Sequence, residues 1–174
     1  MKEIRWHARA GQGAKTAAQL YAHAMLRAGK SVQAFPEYGP ERRGAPLRAY
    51  TRVDDKPIRR HDSVTNPDVV VVLEPSLLHE VNVTEGLSPD GLVLLNAPST
   101  DGLDATRVEC VPASRLAAAR GSKFVNLVMV GALAAALGEP SAEEVADAAA
   151  ALLGKKAAAN DIRDAVLEGY ACLS

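Results

Sequence analysis

The chain has 174 residues, 48% hydrophobic and 4% aromatic, with a formal net charge of −1. That charge excludes a general nucleic-acid binder, whose footprint is basic, and charges or helix breakers interrupt every apolar run before the ~20 residues a membrane span needs. Two distant cysteines exclude a self-contained iron–sulfur cluster, which takes about four thiolates, and the four histidines have no ligand spacing.

The length fits one domain over residues 1–174, and no Gly/Ser-rich linker divides it. The first residues, MKEIRWHARAGQG, lack the apolar core of a secretion signal, so a cytoplasmic location is expected. Lys2 to His7 alternates polar and apolar residues, as a strand does. Gly11-Gln12-Gly13 turns the chain. Ala14 to Gly29 then reads as a helix, with Ala17, Leu20, Tyr21, Ala24 and Ala28 at helical spacing and Gly29 as its stop. Ser31 to Phe35 is a second strand. Leu47 to Val53 alternates again and ends in the turn Asp54-Asp55-Lys56-Pro57, which makes this part an antiparallel excursion.

Asp68 to Leu73 is a β-branched run suited to a strand buried on both faces. Glu74-Pro75-Ser76 opens a short helix with proline at a favourable early position. Gly91 to Asn96 and Arg107 to Val111 are further strands. Helices follow over Ser114 to Arg120, Phe124 to Leu137, from the Ser141–Glu144 capping box to about Leu153, and from Lys156 to Leu173. The expected fold is α/β: a layered domain with a mainly parallel central sheet, an antiparallel excursion after the second strand, and a C-terminal helical layer.

Two stretches carry chemistry. HARAGQGAKT fails as a P-loop, because Ala14 separates Gly13 from Lys15 and Ala8 stands at the first glycine position. It fails as a dinucleotide fingerprint, because Thr16 replaces the third glycine and no acidic residue ends the second strand, Glu37 being only close by. Two readings remain open: backbone N–H groups meeting an anion at a helix N-terminus, or glycines that only allow a tight turn. On the first reading, Gly11→Ala is expected to lower turnover with little loss of stability. The second stretch, FPEYGPERRGAP, packs three prolines, two glycines and four charges into Phe35 to Pro46. Gly and Pro fix its backbone path, and charges on a fixed path suit a contact that pairs them. Asn126, ahead of an apolar helix, reads as its N-cap, with a bond to a neighbouring loop as the alternative.

Together these residues resemble the gamma subunit of the 2-oxoacid:ferredoxin oxidoreductases. Ala8 to Gly13 matches the family's G-R-G-G-Q-G, and Phe35 to Pro46 matches F-P-E-F-G-P-E-R-R-G-A-P. Asn126 to Leu133 matches N-M-V-M-L-G-A-L, and Asn160 to Tyr170 matches N-x-x-A-F-x-x-G-Y. Ala8 and Ala10 replace two family glycines, and Tyr38 replaces a phenylalanine.

The resemblance implies a part in coenzyme A-dependent oxidative decarboxylation of a 2-oxoacid to acyl-CoA and CO2, with reduction of ferredoxin. Thiamine diphosphate and 4Fe–4S clusters would sit on alpha, beta and delta-type partner subunits, and this chain would be inactive alone. Gly11, Gln12, Gly13, Arg42 and Arg43 become candidate contacts to coenzyme A or a partner subunit, since arginine pairs with phosphate bidentately. Glu37, Tyr38 and Glu41 become candidate interface residues. The alternatives are the small subunit of indolepyruvate:ferredoxin oxidoreductase and a stand-alone nucleotide-binding module.

Overall fold

The computed structural model describes residues 1–37, 44–100, 103, 105, 107–120, 124–154 and 158–174. Its strands form one sheet: β1 (Lys2–Arg9), β2 (Ser31–Pro36), β3 (Pro46–Asp54), β4 (Val69–Val72), β5 (Leu92–Leu95) and β6 (Arg107–Cys110), in the order β2-β3-β1-β4-β5-β6. The pairs β1–β4, β4–β5 and β5–β6 are parallel, whereas β3 runs antiparallel to both of its neighbours. The antiparallel excursion is thus an interior strand, inserted between β1 and β2. Residues 57–61 form no strand, and the Arg60 and Asp62 carbonyls accept from Gln33 Nε2 and Arg52 of the sheet, both at 2.8 Å.

The helices α1 (Ala14–Arg27), α2 (Ala113–Ala118), α3 (Val125–Leu137), α4 (Ala142–Leu153) and α5 (Ala159–Ala171) pack on one another and on one face of the sheet. Between β4 and β5 there is only a 3₁₀ turn, Pro75–His79, so strands and helices alternate less than the sequence suggests. Glu74 caps that turn by accepting from Ser76 N at 3.1 Å. Ser141 and Glu144 form the expected capping box at the start of α4.

The pleat sorts β1 between two environments. Ile4, Trp6 and Ala8 face the helices with Val69, Val71, Leu92 and Leu94. The Trp6 indole donates to Thr51 Oγ1 at 3.0 Å, and that hydroxyl donates to the Ala18 carbonyl of α1 at 3.1 Å, so the buried polar atoms link sheet to helix. Glu3, Arg5 and His7 point to the other face and are buried there too. Arg52, fully buried opposite Glu3, donates from Nε to Glu3 Oε1 at 2.7 Å. Arg5 donates to the Val83 and Glu85 carbonyls and, from Nε, to His7 Nε2 at 3.0 Å. Farther along, Val70, Val72, Val93 and Leu95 are covered by Val83, Leu78, Val81 and Leu87.

Candidate functional site

The chain leaves β1 through α1 toward β2 on one side of the sheet, and leaves β4 toward β5 on the other. Where neighbouring parallel strands send their connections apart, the loops at their carboxyl ends part and leave a crevice. Such a cleft, about 480 Å³, lies here, lined by Gly11, Gln12, Gly13, Leu73, Glu74, Ser114, Val125 and Asn126.

The glycine turn forms one wall. Gly11 has φ +99° and Gly13 φ +84°, in the left-handed region that favours glycine. A Cβ on Gly13 would stand 2.6 Å from Asn126 Nδ2, whereas one on Gly11 would meet nothing within 4 Å. Both glycines therefore serve the turn's own geometry. This corrects the expectation that Gly11→Ala is nearly free of cost: its Cβ has room, but its φ does not suit alanine. Ala8 and Ala10 sit at ordinary negative φ, Ala8 paired within β1 and Ala10 donating to the Ala45 carbonyl at 2.9 Å. The two alanines are absorbed without strain.

Gln12 ties the walls together. Its Oε1 accepts from Arg9 N and its Nε2 donates to Glu74 Oε2, both at 2.7 Å. Partial burial raises the Glu74 pKa, but hydrogen bonds from Gln12 and Ser76 outweigh it and hold the carboxyl below the usual range. Arg9, just outside the cleft, donates to Ser76 Oγ at 2.8 Å and the Gly44 carbonyl at 3.1 Å and pairs with Glu80. The pairing lowers the Glu80 pKa and raises that of Arg9.

Asn126 is the second residue of α3 and does not cap it: Phe124 holds the cap position. Its Oδ1 accepts from Leu127 N at 3.0 Å, and its Nδ2 reaches the Gly13 carbonyl at 3.4 Å. The bond to the neighbouring loop is the role the structure gives it. Gly11, Gln12 and Gly13 thus meet at the cleft. Glu37 is exposed but engaged locally, accepting from the Tyr50 hydroxyl while its N–H donates to the Arg48 carbonyl at 2.9 Å. Tyr38, Glu41, Arg42 and Arg43 lie outside the described residues.

Glu74 and Ser114 are cleft residues that pattern reading does not single out, as is Asn96 behind them. The signal for Glu74 and Asn96 is position, polar residues just past the apolar strands β4 and β5 at the carboxyl edge where such sheets hold ligands, whereas Ser114, inside α2, carries none.

Fold and cleft together define an α/β domain with a crevice at the sheet's reversal point. The family model for pyruvate ferredoxin/flavodoxin oxidoreductase matches residues 3–172. The pyruvate/ketoisovalerate oxidoreductases common subunit gamma of Thermococcus litoralis is 45% identical over 169 residues, covering 90% of this chain and 91% of that protein. The crystal structure of pyruvate oxidoreductase subunit PORC from Thermotoga maritima superposes with a TM-score of 0.83 at 37% identity, covering 98% of this chain and 95% of that one. At 20% identity, and so in fold alone, the chain is similar to 2-oxoglutarate:ferredoxin oxidoreductase from Magnetococcus marinus, solved with 2-oxoglutarate, coenzyme A and succinyl-CoA bound. The TM-score is 0.77, over 99% of this chain and 31% of that one. The chain belongs to the pyruvate ferredoxin/flavodoxin oxidoreductase family, as a gamma-type subunit of a 2-oxoacid:ferredoxin oxidoreductase.

Proposed function

We propose that this subunit supplies one wall of the coenzyme A site in an assembled 2-oxoacid:ferredoxin oxidoreductase. The carrying observation is the cleft at the carboxyl ends of β1 and β4, where the Gly11–Gly13 turn opens into α1. That helix has no acidic residue in its first turn and no side-chain cap, leaving its N-terminus suited to a phosphate. Coenzyme A bound in a protein of the same fold agrees with this reading. Arg42 and Arg43 extend it as proposed phosphate contacts, and Glu37, Tyr38 and Glu41 as proposed partner contacts.

Thiamine diphosphate, which stabilises the carbanion left by decarboxylation, and 4Fe–4S clusters belong on alpha, beta and delta-type partners in this reading, with ferredoxin as acceptor. Two cysteines, one half-buried and one exposed, fit no four-thiolate cluster within this chain. The 2-oxoacid is of the pyruvate or ketoisovalerate kind.

Reconstitution tests the reading. Partner subunits without this chain are expected to lose coenzyme A-dependent acyl-CoA formation, the chain alone to have none, and mixing to restore it. Full turnover by either half alone contradicts it.

A further inference from the structure

Ser114 stands exposed on the cleft wall, and Asn96 behind it is 4% exposed. Asn96 Nδ2 donates to the Leu73 carbonyl at 2.8 Å and to Ser114 Oγ at 2.9 Å, while its Oδ1 accepts from Ser114 N at 3.0 Å. This amide cannot be reversed, because the Leu73 carbonyl can only accept and the Ser114 N–H can only donate. Ser114 Oγ is therefore held as an acceptor on its inner side. A hydroxyl has one proton, and here it must turn away from the incoming N–H. Among the described residues no acceptor takes that proton. The Glu74 carboxylate, an acceptor, lines the same cleft.

We propose that Asn96 presets Ser114 as a hydrogen-bond donor to a phosphoryl or carbonyl oxygen of coenzyme A in the cleft. This rests on the coenzyme A reading above. Ser114 is the ligand contact and Asn96 a positioning residue.

The test uses the assembled oxidoreductase. Ser114→Ala is expected to raise KM for coenzyme A about tenfold, the usual scale for losing a hydrogen bond to a polar or charged group, with the effect in KM rather than kcat and a lowered thermal midpoint because Asn96 Nδ2 loses an acceptor. Ser114→Thr restores it. Asn96→Asp replaces the inner donor by an acceptor that draws the hydroxyl proton inward; it also loses the bond to the Leu73 carbonyl and so lowers stability, but its effect on KM is expected in wild-type background and not on top of Ser114→Ala. With dephospho-coenzyme A, a vanished Ser114→Ala effect places the contact on the 3′-phosphate, and a retained effect places it on the remainder of the molecule; both support the proposal. An unchanged KM in Ser114→Ala overturns it, and additive effects of the two substitutions overturn the positioning role. If coenzyme A still protects the Gly11–Ala14 amides from exchange in that case, the coenzyme A reading survives. If it protects none of them in the wild-type enzyme, that reading falls first.

Discussion

Gly13 is constrained twice, by its backbone angle and by the Asn126 side chain pressed against it. Gly11 is constrained once, by its angle. An alanine in the left-handed region costs about 1–2 kcal/mol, so Gly11→Ala is expected to lower stability by about that much and Gly13→Ala by clearly more. Denaturant unfolding of the isolated chain, followed by its one tryptophan, buried Trp6, measures both. Equal losses contradict the Asn126 contact.

His7 supplies a pH test. Burial, and then the nearby Arg5 and Arg48 charges, push its pKa down from 6.5 to about 3. Below pH 6.5 the unfolded chain takes a proton that the folded chain refuses until about pH 3. Stability is therefore complete above 6.5 and falls as pH drops through that window. Going from pH 7 to 5 is expected to cost about 2 kcal/mol from this residue. His7→Gln keeps an acceptor for Arg5 and removes the titration, so its unfolding free energy should change less between those pH values. An identical slope in the variant contradicts the assignment. At this scale the sequence is legible where a residue's cause is local, as in the Ser141–Glu144 capping box. It is illegible where the partner comes from afar: nothing near Asn96 shows that Ser114 will meet it, or near Asn126 that Gly13 will.

At the scale of elements, α3 and α5 cross at two glycines. A Cβ on Gly131 would lie 2.0 Å from the Val166 carbonyl oxygen, and one on Gly169 would lie 1.9 Å from that of Val128. Backbone cannot yield as a side-chain tip can, so Gly169→Ala must force the helices apart. Overpacking of a close-packed core costs about 1–3 kcal/mol or more, and the upper end applies because both contacts are backbone. Thermal unfolding of Gly169→Ala checks this: a midpoint within a degree or two of wild type contradicts the crossing. The elements were largely readable, since the valine run of β4 and the 3.6-residue spacing of α1 are properties of contiguous residues. The place of β3 was not. Pairing β3 with both β1 and β2 depends on contacts far apart in sequence. The same holds for the β1 row Glu3, Arg5 and His7, which alternates as a solvent-facing row would but is buried against Arg52 and the 83–85 segment.

For the whole molecule, one helical layer on one sheet face sends α1 back from β1 while β4 continues the other way, and the cleft is a consequence of that routing. The glycine motif locates one wall in the sequence; the other walls, Leu73–Glu74, Ser114 and Asn126, converge only through the topology. The most direct measurement is amide hydrogen exchange on the assembled oxidoreductase with and without coenzyme A. Slowed exchange is predicted at Gly11–Ala14 and around Ser114, with the sheet's far face near Val83–Glu85 unchanged. Protection confined to partner subunits, leaving Gly11–Ala14 and Ser114 exchanging as before, would contradict the assignment of this cleft to coenzyme A.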